Sequence, residues 1–214
     1  MTTTPQKPKT DASLIQAGLQ LFGRKGFEGT STRELAAHAN TNVASIAYHF
    51  GGKAGLRAAC VKSVADLIAG LLDAESAPQP PATAEAAQNQ IERMVGALVR
   101  LVVGTPQAQD MVTFMLRELT DQGDAVDVIY AEFLEPRHRA ICDLWAKATG
   151  RDPEDEAVKL AIFAMIGQIL YFRVAQPLVA RRMGWDGIGP DETRRVADLV
   201  IANLRDTLER HRHD

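Results

Sequence analysis

Ten residues in the span 32–53 carry side chains suited to holding and reading a polyanion: Thr32, Arg33, Thr41, Asn42, Val43, Ala44, Ser45, Tyr48, His49 and Lys53. The hydroxyls of Thr41 and Ser45 and the amide of Asn42 can hydrogen-bond base edges. Tyr48 and His49 can donate to phosphate oxygens, and Thr32 with Arg33 can meet the opposite strand's backbone or a neighbouring base. Val43 and Ala44 offer only methyl groups, whose counterpart on a base is the thymine 5-methyl. Lys53, at the start of a helix, adds a full positive charge to a terminus already disposed to attract an anion. For Lys53 and nearby Arg57 a solvated helix face is the alternative reading.

The charge distribution agrees with that chemistry. The net charge of −3 over 214 residues conceals a split, with residues 1–62 at +5 and residues 63–214 at −8. A basic head on an acidic body fits a chain that brings only its head to a polyanion. Enzyme constellations are missing from the sequence: there is no Ser-His-Asp order, HExxH, phosphate loop or glycine fingerprint, and carboxylates such as Glu118 have no evident partner. No cofactor, metal set or catalytic residue is therefore expected. Cys60 and Cys142 lack metal-type spacing and read as core thiols in a reducing compartment, and His211 and His213 read as a frayed terminus. The apolar stretch Leu160–Leu170 is broken by Gly167 and Gln168 and falls short of the ~18 residues of a membrane span. Residues 1–10 show no apolar signal core, so the expectation is a cytoplasmic protein with no membrane partner.

Positioning those ten side chains requires helices. Period-2 alternation and Asn-Gly or Asp-Gly hairpin signals are lacking, while apolar residues recur at helical spacing, so the fold class is all-α. A first helix runs from Thr10 or Asp11 to Gly26. A second starts at Ser31, with Glu34 three residues on to complete a capping box. Asn40-Thr41-Asn42 makes a turn in which Asn40 can adopt the left-handed conformation and Asn42 can cap a short helix, Val43–Phe50, stopped by Gly51-Gly52. Ile46 and Phe50 are spaced to face inward. The second and third helices thus form a helix-turn-helix, whose short third helix fits the major groove. A fourth helix spans about 53–72, residues 73–83 form a loop, and helices follow at about 84–103, 107–120, 124–149, 153–174 and 190–210, with a short one near 178–182. The domain expectation is a tail over 1–9, a head over 10–56 and a body over 57–214.

The run Gly29-Thr30-Ser31-Thr32-Arg33-Glu34-Leu35-Ala36, then Ala39, then Ile46-Ala47-Tyr48-His49-Phe50-Gly51-Gly52-Lys53 and Leu56, resembles the amino-terminal signature of TetR-family transcriptional regulators. The likeness covers about residues 10–57, and Tyr-His-Phe-x-x-Lys is its most specific piece. It implies a helix-turn-helix head on a ligand-binding and dimerisation bundle. It also implies that Thr32, Tyr48, His49 and Lys53 hold phosphates while Arg33, Asn42, Val43, Ala44 and Ser45 read bases. The functional expectation is a homodimeric repressor on a palindromic DNA operator, released by a small-molecule inducer. Two positions depart from the pattern: Asn40 stands where the family usually has glycine, and Ala47 where it usually has tyrosine. The segment 171–185 is similar to a subgroup of that family linked to drug sensitivity.

In the body, Met111, Phe114, Met115, Trp145, Met165 and Phe172, with Arg117 and Gln168 as polar groups, are candidates to line a ligand cavity, core packing being the alternative. The helix over 153–174 is apolar nearly all round and must be covered on more than one face. Its Val158, Ile162 and Ile169, with Val196, Val200, Leu204 and Leu208 of the last helix, make a candidate four-helix dimer interface.

Overall fold

The capping and stop signals are realised one by one in the computed structural model, which describes residues 10–77, 79–121 and 125–213; the tail 1–9 lies outside them. Every regular element among the described residues is helical: α1 (Thr10–Lys25), α2 (Thr32–His38), α3 (Val43–Phe50), α4 (Lys53–Ala74), α5 (Ala84–Val102), α6 (Ala108–Thr120), α7 (Ala125–Val128), α8 (Glu135–Thr149), α9 (Glu156–Val174), α10 (Gln176–Met183) and α11 (Pro190–His213). The sequence pattern expects one helix over 124–149. Residue 124 is outside the described residues, and the remainder is interrupted by a π-helical turn, Ile129–Leu134, between α7 and α8. Pro136 supplies the reason. It has no N–H to give to the carbonyl four residues back and its ring crowds that carbonyl, so the ladder widens and the Glu135 N–H reaches back to the Tyr130 carbonyl. Pro106 and Pro153 stand in the turns ahead of α6 and α9 rather than inside first turns, and Asp155 caps α9 by accepting from the Ala157 N–H.

The chain divides into two compact units, residues 1–66 with 110–126, and residues 67–109 with 127–214. In the first, α1 packs on α2 and α3, and α2 on α3. Leu14, Ala17, Phe22, Leu35, Ile46, Leu56, Cys60 and Phe114 form its buried centre. Phe22 and Phe114 lie with ring centroids 6.5 Å apart. Residues 110–120 of α6 thus belong with the head helices. Gly26, in the left-handed region at φ +77°, ends α1 and leaves room for the Arg117 guanidinium, which lies 3.0 Å from where a β-carbon would stand. Cys60 is a free thiol whose pKa burial pushes up to about 12, the nearby Glu118 charge adding to the effect.

In the second unit α5 packs on α8, α9 and α11, and those three pack on one another. Ile91, Val95, Val99, Trp145, Val158, Ile162, Ile169, Val200 and Leu208 fill the interior. The carboxyl-terminal end of α11 is docked, in contrast to the frayed tail expected: the Trp145 indole N–H donates to His211 Nδ1 (3.1 Å), and Arg212 donates to the Ala148 carbonyl (2.9 Å). By length and composition α9 is apolar enough to cross a membrane, which the interrupted stretch Leu160–Leu170 did not suggest. In this fold its Val158, Ile162, Met165, Ile169 and Arg173 stripe is buried within the unit.

Candidate nucleic-acid interface

The second helix exists because both ends of its first turn are satisfied. The Ser31 hydroxyl accepts from the Glu34 N–H, and the Glu34 carboxylate accepts from the Ser31 N–H, which is the reciprocal capping box expected from the sequence. The Lys25 ammonium bonds the same carboxylate at 2.6 Å. That bond and those from Ser31 hold the Glu34 pKa down at about 2. A folded pKa below the unfolded one stabilises above the ordinary carboxylate range, and the contribution fades as pH falls from about 4.5 towards 2. Ser31→Ala is expected to destabilise the head by about 1 kcal/mol, measured as a shift in urea midpoint with unchanged m value.

The turn after α2 places Asn40 at φ +51°, the left-handed conformation that asparagine tolerates where the family usually has glycine. Asn42 then caps α3, its Oδ1 accepting from the Ala44 N–H at 3.0 Å, and Gly51 in the left-handed region closes the helix. Ile46 is buried and Phe50 half-buried, so α3 is anchored by one face and presents the other. That outer face carries Val43 (41 % exposed) and Tyr48 (85 % exposed) with Ala44, Ala47 and His49, and the Tyr48 and His49 rings meet edge-on at 5.0 Å. Arg33 is exposed and Thr32 half-buried at the start of α2. Thr41 and Ser45 are half-buried with their hydroxyls in mutual hydrogen bond at 3.1 Å.

Lys53 is placed differently from the phosphate ligand the sequence suggested. Its ammonium donates to the carbonyls of Phe27 (2.8 Å) and Thr30 (3.1 Å) and sits 4.1 Å from the centre of the Phe27 ring. The turn 26–30 leaves those carbonyls without helical partners, and a lysine opening α4 is the nearest donor. Arg57, also carried on α4, pairs with Glu118, so the solvated-face alternative does not hold for it. Two connections within this unit escaped sequence reading. His38 of α2 bonds Gln20 Oε1 (2.6 Å), and Gln20 Nε2 donates to Asp110 in the first turn of α6 (2.8 Å). Gln20 stands between apolar neighbours of α1, and nothing in its local pattern names partners 18 and 90 residues away.

The eight candidate cavity residues fall in different places. Met111, Phe114, Met115 and Arg117 belong to the first unit, and Trp145, Met165, Gln168 and Phe172 to the second. Phe114 and Trp145 are fully buried and serve as core. Gln168 is exposed, accepts from Asn203 at 3.1 Å and borders an open polar groove with Asp206 and Arg210. The stripe put forward for a dimer interface, Val158, Ile162, Ile169, Val196, Val200, Leu204 and Leu208, is buried within a single chain and is not available to a second copy. A helix apolar on two faces gives both the same period, and packing on α5 and α8 claimed that stripe. On α9 and α11 the large apolar residues left exposed are Leu160, Phe163, Tyr171 and Val174 of α9 and Leu199 of α11. Among the described residues no group of three or more His, Cys, Asp or Glu side chains could hold a metal ion.

Comparison with known proteins agrees with this architecture. Residues 14–60 match the family model for bacterial regulatory proteins of the tetR family, and residues 87–209 match that for the C-terminal domain of the HTH-type transcriptional dual regulator CecR. CecR of Shigella flexneri is 31 % identical over 197 residues, covering 89 % of this chain and 87 % of its own. The HTH-type transcriptional repressor Rv3405c of Mycobacterium tuberculosis is 24 % identical over 201 residues, covering 94 % and 89 %. A TetR-like transcriptional regulator from Rhodococcus sp. RHA1 superposes with TM-score 0.66 at 16 % identity, over 94 % of this chain and 95 % of that one. AibR, solved in complex with isovaleryl coenzyme A and operator DNA, gives 0.65 at 17 % identity, over 90 % and 96 %. The chain belongs to the TetR family of transcriptional regulators. It is a DNA-binding regulator and not an enzyme.

Proposed function

We propose that the chain acts in the cytoplasm as a homodimer that occupies a roughly palindromic DNA operator, represses transcription there, and is released by a small molecule. The observation that carries this reading is the exposed outer face of α3, Val43, Ala44, Tyr48 and His49, on a helix pinned by Ile46 and capped at both ends. Two copies would lay their α3 helices in successive major grooves about 34 Å apart. Val43, Ala44 and Asn42 would face bases, with Arg33, Tyr48, His49 and Thr32 on phosphates or a neighbouring base. Thr41 and Ser45 would hold the turn, and Lys53 would hold the 26–30 carbonyls rather than a phosphate.

A second copy is the partner whose chemistry suits the outer stripe Leu160, Phe163, Tyr171 and Val174 with Leu199, since a helix apolar on two faces is stable only when both are covered. The ligand would belong to the carboxyl-terminal unit, with Met165 and Phe172 as its apolar contacts. AibR, of like fold, binds isovaleryl coenzyme A as well as operator DNA, which supports a ligand response but not an identity for the ligand. Such a ligand must prefer the released form, by about 10⁴-fold for a nearly complete switch. Repression fits the name of the Mycobacterium tuberculosis relative, while that of CecR, a dual regulator, allows activation at other sites.

The test is fluorescence anisotropy with DNA flanking the chain's own gene. Affinity is expected to fall steeply and linearly in log–log form with salt, and Arg33→Ala to flatten the slope by about one unit. Salt-independent binding, or a light-scattering mass equal to one 23.3 kDa chain at micromolar concentration, would overturn the scheme.

A further inference from the structure

We infer that this regulator reads its operator chiefly through thymine 5-methyl groups, with Val43 and Ala44 as the specificity-determining residues and Asn42 as a donor beside them. The inference rests on the reading of α3 as the helix that enters the groove. Its ground is how the polar groups at that end of α3 are already committed. Asn42 Oδ1 accepts from the Ala44 N–H at 3.0 Å, so the cap takes one lone pair of the oxygen and fixes the orientation of the amide. A bidentate grip on adenine needs the amide oxygen to accept from N6 while the nitrogen donates to N7. With the amide oriented by the helix cap, Asn42 can turn its oxygen and nitrogen together to an adenine edge only by loosening the N-cap of a two-turn helix that depends on it. The Thr41 and Ser45 hydroxyls are half-buried and engaged with each other at 3.1 Å. What the first turn and a half of α3 exposes most is methyl groups, on Val43, Ala44 and Ala47, with the Asn42 amide nitrogen as a donor at the edge.

In the major groove only thymine sets a methyl group beside a carbonyl acceptor, O4. Cytosine carries an amino donor there, which would face the Asn42 donor across the groove. Guanine and adenine offer acceptors but no methyl. A methyl surface flanked by a single donor thus selects thymine over the other three, and Ala47, where the family usually has a tyrosine, extends that surface by one turn.

The experiment begins with binding sites selected from random duplexes by the full-length protein, followed by anisotropy titrations in which each thymine is replaced singly by deoxyuridine. That replacement removes one methyl and alters no protein residue. At one or two positions per half-site the affinity is expected to fall about fourfold per thymine, the effect of burying one methyl. In Val43→Ala the thymine-to-uracil ratio at one of those positions should fall towards one, with far-UV circular dichroism confirming that the variant is folded. A site in which no thymine-to-uracil change exceeds about 1.5-fold, while Tyr48→Ala still weakens binding about tenfold, would overturn methyl reading and leave α3 as the interface. If Tyr48→Ala and Val43→Ala both leave affinity and sequence preference untouched, the placement of α3 itself fails, and the inference with it.

Discussion

Replacing Arg57 by methionine is expected to destabilise the head unit by about 3 kcal/mol, because it strands a carboxylate that water cannot reach. Glu118 of α6 is 2 % exposed, and its two oxygens are held by Arg57 of α4: Nε lies 3.0 and 2.8 Å from them, and a terminal nitrogen lies at 2.7 Å. The guanidinium also lies 4.9 Å from the centre of the Phe27 ring, so it is fixed by an apolar surface as well as by charge. Burial pushes the Glu118 pKa up and the Arg57 bonds pull it down, with burial prevailing. An acid whose folded pKa lies above its unfolded one binds protons more readily in the native state, so its contribution to stability declines as pH rises through that interval. Without Arg57 the downward pull is gone and the interval widens. The variant is therefore expected to be least stable at neutral pH and to recover part of its loss as pH falls towards 5, when Glu118 takes up a proton. Urea unfolding from pH 5 to 8 checks this. The pair of substitutions Arg57→Met and Glu118→Leu should return stability to within about 1 kcal/mol of the parent, since a well-packed apolar pair replaces a buried ion pair at little cost. A single variant as stable as the parent at pH 7 would mean that water reaches Glu118.

That ion pair marks the boundary of what a one-dimensional reading can deliver here. The capping box at Ser31 and Glu34, the left-handed Asn40, the Asn42 cap and the bounds of α3 were all legible, because each depends on residues within four positions of one another. The bundle helices were legible for the same reason, whereas the reading of one unbroken helix over 124–149 passed over Pro136, the residue in plain view that interrupts it. What the sequence concealed are partners distant along the chain. Lys53 reads as a free cation until the turn 26–30 is folded beneath it, and Glu118 reads as a lone acid until α4 and α6 meet. The dimer stripe failed for a different reason. On α9 the residues 158, 162, 165 and 169 and the residues 160, 163, 171 and 174 are both apolar, and only the packing of α9 on its neighbours decides which of them is inside. Of the candidate recognition residues, Val43, Ala44, Tyr48 and His49 lie on the legible side of this boundary, since their exposure follows from the caps and from Ile46. The candidate cavity lies on the other side.

Arg173→Met is expected to cost the carboxyl-terminal unit about 4 kcal/mol, and the loss should be flat from pH 5 to 9. Arg173 is a 4 % exposed cation whose bonds run to neutral acceptors at the end of α5. Nε donates to the Val102 carbonyl (2.5 Å), one terminal nitrogen to the carbonyls of Val103 (2.8 Å) and Thr105 (2.6 Å), and the other to Gln176 Oε1 (3.1 Å). The last carbonyls of a helix have no partners within it and carry the negative end of its dipole, so a planar fork of donors meets both needs together. Burial lowers the Arg173 pKa, yet a guanidinium keeps its proton over the whole working range, which is why no pH dependence is expected. Methionine keeps the apolar stem of the side chain but strands three carbonyls, each at roughly 1–3 kcal/mol if water cannot enter. Lysine keeps the charge and reaches part of the set, so Arg173→Lys should fall between the two. The ordering arginine, lysine, methionine in urea midpoint separates this cap from a simple packing role, for which methionine would equal or exceed lysine. Because Arg173 closes α9 where the chain turns into α10, the same cap fixes the end of the stripe Leu160, Phe163, Tyr171 and Val174. Loss of self-association in Arg173→Met at concentrations where the parent is dimeric would join the cap to the interface proposed above.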